Sequence, residues 1–238
     1  MRLDRLLSNR GYCSRSEVRH LVKAKRIRIG DTYPSSPSTM VDPESVFIDD
    51  EKIDPEVITI MLHKPTGFVC SHREQGRLIY ELLPERWSQR KPQLSSVGRL
   101  DKESSGLLIL TTDGQLNHQL TQPKKVGKVY EVTVRDKLSG EEASLFQSGT
   151  FTLPDESEPL LPADFIPRDD YSGVLTIYEG KYHQIRRMFG ALGNEVIKLH
   201  RTQVGNLPLL PEEAGSWCFL SLEQISLALA PSFLEKHT

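Results

Sequence analysis

Beyond residue 56, strand-like runs follow one another across spans too short for a crossover helix. The run at 94–100 is separated from that at 106–112 by a charged turn, and the run at 195–204 reaches that at 216–220 through a loop. A parallel crossover needs a dozen or more residues and usually a helix. Such neighbours therefore pair antiparallel or through an intervening strand. Further strands are predicted at 57–63, 128–135 and 173–179, with helices near 77–83, 114–122, 139–148, 182–192 and 222–229. The fold class this implies is α+β with a mixed, largely antiparallel sheet rather than a doubly wound one. The chain has 238 residues, enough for one sizeable core and a small appended module.

That module lies at the N-terminus. Residues 1–30 carry nine basic side chains against Asp4 and Glu17, a local net of +7 that leaves −9 for the remainder of a chain whose net charge is −2. The basic residues interleave with a regular apolar pattern, so they belong to a folded surface. Leu3, Leu6 and Leu7 repeat at helical spacing. Ser14-Arg15-Ser16-Glu17 has the form of a capping box ahead of a helix that buries Val18, Leu21 and Val22. Arg26-Ile27-Arg28-Ile29 alternates as a half-buried strand does, and Val46-Phe47-Ile48 supplies a second strand ending at Asp49-Asp50. A folded basic module on an otherwise acidic protein points to a polyanionic partner, nucleic acid first. Polar residues 50–56, with Pro55, read as a linker. The domains expected are 1–52 and 57–238.

Arg2-Leu3-Asp4, Ser14-Arg15 and the strand after Lys25-Arg26 resemble the alpha-L (S4-type) RNA-binding module. Where that module usually has a glycine before the strand and Asn-Gly after it, this chain has Ala24-Lys25-Arg26 and Gly30-Asp31. The resemblance implies RNA contacts through Arg2, Arg15, Lys25 and Arg26. Three cysteines far apart in sequence, none in a CxxC pair, argue against a disulfide or zinc framework and fit a reducing cytoplasm. The histidines show no paired metal-ligand spacing, and no metal is expected. No apolar run approaches membrane-spanning length, and the start of the chain runs into charge rather than a signal core. A cytoplasmic monomer with no membrane partner is expected.

Gly98-Arg99-Leu100-Asp101-Lys102-Glu103-Ser104-Ser105-Gly106-Leu107 carries the chemistry. A strand reaching Leu100 would deliver Asp101 to a charged turn beside Arg99, where a carboxylate can work as an anion at the edge of a dry core. The alternative is an ordinary turn-capping aspartate. In Glu179-Gly180-Lys181-Tyr182-His183-Gln184-Ile185-Arg186-Arg187-Met188-Phe189 a helix starts after a glycine, with two arginines in its first turn. Cations are disfavoured there, so something negative should hold at least one of them. Lys128-Val129-Tyr130 brings a tyrosine into an alternating strand, and Lys64-Pro65-Thr66-Gly67 is a loop after an apolar strand.

Taken in this order, the four segments resemble the pseudouridine synthases that carry an N-terminal alpha-L module, over essentially the whole chain. Tyr182-His183-Gln184-Ile185 and Leu199-His200-Arg201 look like the small-subunit ribosomal RNA branch, the large-subunit branch being the alternative. The resemblance implies that Asp101 is the catalytic carboxylate and that Arg186 is its charge partner. It also implies that Tyr130 lies against a flipped uracil and that Leu199 walls the base, with Arg99 and Lys64 near the substrate. The implied partner is 16S rRNA, in an assembling small subunit. The isomerisation involves no redox change or group transfer, so no cofactor is expected. Two other classes of protein compete with this reading. A non-catalytic RNA-binding or ribosome-assembly protein would leave Asp101, Tyr130 and Arg186 without a purpose. A nucleoside hydrolase or RNA glycosylase would want a second carboxylate or a metal to activate water, and no second motif carboxylate is evident.

Overall fold

Leu3, Leu6 and Leu7 form the buried side of the first helix, α1 (Leu3–Asn9), in the computed structural model, which describes residues 1–72, 74–122 and 126–231. The reciprocal Ser14–Glu17 bonds form as expected: the Ser14 N–H donates to the Glu17 carboxylate at 2.7 Å and the Glu17 N–H to the Ser14 hydroxyl at 3.4 Å. They lead into α2 (Val18–Lys23), which packs Val18, Leu21 and Val22 against the α1 leucines. Lys25 then takes φ +55°, a left-handed conformation that glycine adopts most readily. The strand β1 (Ile27–Ile29) pairs antiparallel with β2 (Val46–Ile48), and β2 with β3 (Glu51–Lys52). Asp49 and Asp50 connect β2 to β3 with both φ values positive, as a two-residue hairpin of type I′ requires.

Residues 50–56 are not a linker. They contain β3, and Ile53 and Asp54 are buried, Ile53 in the core shared by α1, α2 and β1. The Asp54 carboxylate accepts bonds from Arg86 at 2.9 and 3.0 Å and from the Trp87 indole at 2.8 Å. Arg10 donates to the Asp54 carbonyl, and Arg90 to the carbonyls of Pro55 and Glu56 at 2.6 and 2.8 Å. Polar composition hid this because the polar groups are consumed internally. The compact unit accordingly comprises Met1–Thr59 together with Tyr80–Ser95 and Thr111–Asp113.

The second unit comprises Ile60–Ile79, Ser96–Leu110 and the chain from Gly114. Its strands and helices are, in order, β4 (Thr59–Lys64), β5 (Phe68–Val69), β6 (Arg77–Leu78), β7 (Ser95–Ser96), β8 (Ser105–Thr111), α3 (Gly114–Thr121), β9 (Lys128–Val134) and α4 (Glu142–Gln147). There follow β10 (Asp164–Pro167), β11 (Ser172–Ile177), α5 (Gln184–Ala191), β12 (Val196–Val204), β13 (Leu207–Pro208), β14 (Trp217–Phe219) and α6 (Leu222–Leu229). The main sheet runs β10-β11-β9-β12-β8-β4-β14, with β7 on β8 and β13 on β12. The β12–β8 pair is parallel, whereas β10–β11, β11–β9, β9–β12 and β4–β14 are antiparallel. This is the mixed, largely antiparallel sheet expected. Met61, Leu107, Ile109 and Val204 form a core with Leu116 and Leu120 of α3 and Ala228 of α6. Around α4 and α5, Phe146 sits edge-on to Phe151, Phe165 and Phe189 at 5.3–6.1 Å between centroids.

Two expected elements differ. The strand at 94–100 shrinks to β7, because Gly98 at φ +66° turns the chain. The helix near 77–83 is instead β6 followed by a 3-10 turn at Ile79–Leu82, since the residue before Pro84 is steered out of the α region. The edge strand β10 has no clear sequence signal because it follows Pro162 and ends in Pro167, and proline is tolerated at a sheet edge. Among the described residues, no helix is long and apolar enough to cross a membrane.

Burial pushes the Asp54 carboxyl up, but hydrogen bonds from Arg86 and Trp87 and the charges of Arg86 and Arg90 outweigh it and hold it below the usual range. The stability it contributes is therefore present above the unfolded-state value and lost as pH falls through the depressed folded value. Asp54→Asn should cost about 3–5 kcal/mol at pH 7 in denaturant unfolding, the cost of stripping a partner from buried charges. The gap between variant and parent should close as the parent is acidified below about pH 4.

Candidate active site

The Lys64 side chain is fully buried at the end of β4 and points its ammonium at four carbonyl oxygens: Pro65 at 3.0 Å, Asp101 at 3.1 Å, Lys102 at 3.3 Å and Ser104 at 2.7 Å. Three N–H groups shared among four acceptors fix the loop ahead of β8 from beneath. Burial lowers the pKa of this lysine. The Gly67 N–H adds a bond to the Lys102 carbonyl at 2.8 Å, and the Ser104 N–H closes the turn onto the Asp101 carbonyl at 3.0 Å. Lys-Pro-x-Gly and the Asp101 segment, nearly forty residues apart in sequence, are thus one device.

The Asp101 carboxylate emerges from that loop a quarter exposed. The Arg186 Nε lies 3.6 Å from one of its oxygens and the His183 Nε2 lies 3.4 Å from the other. Arg186 is steered by its remaining donors, to the Val196 carbonyl at 2.8 Å and the Glu103 carbonyl at 3.3 Å. His183 precedes α5 with φ +47°. The loop before it is fixed by Glu179, which accepts from the Leu161 N–H at 2.9 Å and the Gln184 amide at 3.0 Å, while Gln184 accepts from the Lys181 N–H at 3.0 Å. Arg187 is held by Asp155 and by Glu156 at 3.1 Å. Each arginine in the first turn of α5 therefore has its acidic partner.

Tyr130 is buried on β9, and its hydroxyl accepts from Arg201 Nη1 at 3.3 Å. Arg201, buried on β12, also donates Nε to the Leu107 carbonyl at 2.7 Å. Its backbone lies directly against Gly106, where a Cβ would come within 2.2 Å of the Arg201 carbonyl oxygen and where φ is +107°. Both facts demand glycine in the Ser-Ser-Gly-Leu segment. Leu199 is buried two residues before Arg201, on the same face of β12. Lys128, two residues before Tyr130 on the same face of β9, donates to the Val126 carbonyl at 3.4 Å. Burial, aided by the charge of Arg201, brings its pKa down to about 8.

Asp101 and Arg186 thus meet, with Lys64 acting on the loop backbone. Arg99 does not join them. Its side chain is exposed and pairs with Glu74 at 2.7 Å, because the Gly98 turn replaces the strand that would have aligned it with Asp101. In the N-terminal unit, Arg2 pairs with Asp4 at 2.7 Å, the charge of Arg15 acts on the same carboxylate, and Arg26 pairs with Asp49. Lys25 lies over the Tyr33 ring at 5.9 Å and borders, with Arg19 and Lys23, an open depression of about 430 Å³.

Comparison with known proteins decides the family. The RNA pseudouridylate synthase family matches residues 58–191, and the S4 domain family matches residues 1–47. An uncharacterized RNA pseudouridine synthase of Bacillus subtilis (strain 168) is 38% identical over 97% of this chain and 99% of its own length. Ribosomal small subunit pseudouridine synthase A of Vibrio cholerae is 36% identical, over 95% of this chain and 98% of its own. A crystal structure of a pseudouridylate synthase, 33% identical, superposes with a TM-score of 0.68 over 96% of this chain and 99% of the other. The chain belongs to the RNA pseudouridylate synthase family. It is an isomerase acting on RNA, with an S4 domain ahead of its synthase domain.

Within this synthase the structure adds residues to which sequence reasoning gave no role. His183 lies beside Asp101, and Arg201 links Tyr130 to β8. The only signal for either was membership in a quoted motif.

Lys128 gives a test of the buried charge on this face. A lysine whose folded value lies below its unfolded one destabilises the fold while both states are protonated, and the penalty is relieved as pH rises between the two values. Lys128→Met should therefore be more stable than the parent at pH 7, by up to about 3 kcal/mol. That advantage should shrink steadily between about pH 8 and 10.5, read by denaturant unfolding at each pH.

Proposed function

We propose that this synthase converts a single uridine of 16S rRNA to pseudouridine, acting on a partly assembled small subunit, with Asp101 as the reacting carboxylate. The observation that carries the reading is the ion-paired environment of Asp101. Arg186 and His183 stand at 3.6 and 3.4 Å from its two oxygens, on a loop whose backbone is gripped by buried Lys64. The small-subunit target is supported by the relatives named for that subunit, and by Tyr182-His183-Gln184 and Leu199-His200-Arg201. Residues 1–52 serve RNA binding and residues 57–238 the chemistry.

The base must leave its stack before C1′ is reachable. Asp101 then either attacks C1′ or takes a proton from the ribose, and the glycosidic electron pair departs with uracil N1. The base turns and C5 bonds to C1′, while the Asp101–C1′ bond breaks or, on the other route, Asp101 returns the proton to the ribose; the C5 proton is lost and N1 regains one, so no atom is gained or lost overall. Arg186 holds the carboxylate in place. Tyr130 offers a ring for the base and a hydroxyl for proton transfer, and Leu199 helps keep the site dry.

Asp101→Asn keeps size and hydrogen bonding but not the anion, so it should lose at least a thousandfold in isomerisation rate while still binding rRNA. Arg186→Met should be severely impaired as well. Carbodiimide treatment and primer extension on rRNA from a deletion strain should show one restored stop in 16S rRNA, stronger on immature particles than on finished subunits. A restored stop in 23S rRNA alone would overturn the small-subunit target, and an Asp101→Asn variant within tenfold of the parent would overturn the role of Asp101.

Affinity should depend on the N-terminal unit. Arg15→Gln with Lys25→Gln should weaken rRNA binding and flatten its logarithmic salt dependence by about one to two units, with kcat unchanged. An unchanged slope would shift the RNA footprint elsewhere.

A further inference from the structure

Tyr182 is 76% exposed, an unusual position for a tyrosine inside a segment otherwise fixed by buried hydrogen bonds. Its ring does not point at random. It stacks on His183 with centroids 3.9 Å apart and planes 15° apart, and His183 in turn reaches Asp101 at 3.4 Å. The left-handed φ of His183, costly for any residue with a Cβ, is part of what permits this arrangement. The result is a short aromatic column that begins beside the Asp101 carboxylate and ends in an open ring face. Beside it lies an open depression of about 560 Å³, bordered by Tyr182, His183, Arg186, Pro154, Gly190 and Ala191.

We propose that Tyr182 is a stacking platform for the base of a nucleotide adjacent to the target uridine. The inference rests on Asp101 being the reacting carboxylate of an RNA isomerase and does not depend on which rRNA is the substrate. Flipping the target leaves its neighbour with an uncovered face, and an exposed aromatic ring next to the reacting carboxylate can cover it. Stacking of this kind tolerates any base, because every base presents a π face. A phosphate is a poor alternative occupant. Arg187, which donates to the Tyr182 carbonyl and borders the depression, is already paired with Asp155 and Glu156, and those carboxylates repel an anion. The depression is also wide enough for a base and its ribose. Tyr182 is thus a positioning residue: it touches the neighbour and holds the flipped geometry open, without touching the reacting atoms.

The experiment pairs protein and RNA changes. The wild-type protein first locates the modified uridine in 16S or 23S rRNA, which tests the proposed target by itself. Fragments carrying that uridine are then made with the 5′ or the 3′ neighbouring nucleotide abasic, and kcat/KM is measured for the parent, Tyr182→Ala and Tyr182→Phe. Tyr182→Ala should lose about five- to a hundredfold on the intact fragment, and Tyr182→Phe should stay within twofold of the parent, since the ring and not the hydroxyl is used. One of the two abasic fragments should cost the parent a similar factor and cost Tyr182→Ala almost nothing further, the signature of two changes that remove one contact. An unchanged Tyr182→Ala, or losses that multiply for both abasic fragments, overturns the platform. A parent enzyme modifying 23S rRNA alone would remove the small-subunit target and leave this test intact.

Discussion

The buried ammonium of Lys64 is the contact on which the site depends. Removing a lysine from water is costly unless its charge meets strong acceptors, and here the acceptors are four backbone carbonyls instead of a carboxylate. That choice has a consequence. A carboxylate partner would neutralise the lysine and leave the loop free, whereas carbonyls from Asp101, Lys102 and Ser104 converge on it and must keep their relative positions. The side chain of Asp101 stays outside this network, facing Arg186 and His183, while its backbone is immobilised.

Around that fixed loop, charge is arranged at some cost to α5. Two arginines in its first turn face the positive end of the helix dipole. Each is offset locally, Arg186 by Asp101 and Arg187 by Asp155 and Glu156, and Arg186 is further tied to the Val196 carbonyl at the start of β12. The aromatic cluster of Phe146, Phe165 and Phe189 anchors the apolar face of the helix. The position of Arg186 is therefore set by the packing of its helix and by the Val196 and Glu103 carbonyls, and does not rely on the ion pair alone.

Much of this was legible in the sequence where the signal is periodic. Alternation in Lys128–Val134 and Val196–Val204 marks central strands, and Leu3, Leu6 and Leu7 mark α1. What escaped was set by partners distant in the chain. Residues 50–56 look like a linker because Asp54, Pro55 and Glu56 are polar or helix-breaking, yet Arg10, Arg86 and Arg90 bind them. Arg99 sits two residues before Asp101 in sequence, but the strand that would have aligned them ends at Ser96 and Arg99 pairs with Glu74. The role of Gly106 was invisible for the same reason, since it is defined by the backbone of Arg201, 95 positions away.

The same bonding pattern bears on why such a site would isomerise and not hydrolyse. Hydrolysis of an N-glycosidic bond needs water and a group to activate it, usually a second carboxylate. The acids that flank α5 are already committed: Glu179 to the Leu161 N–H and the Gln184 amide, Asp155 and Glu156 to Arg187, and Glu156 also to Lys181. Among the side chains paired with Asp101, both are nitrogen bases or cations, His183 and Arg186. On the neighbouring strands Lys128 and Arg201 add positive charge beside Tyr130, and Leu199 adds an apolar wall. Once the glycosidic bond has opened, the departing uracil carries the electron pair. A surrounding rich in cations favours keeping that anion in place over activating water against the sugar. The detached base then has time to turn and rejoin through carbon.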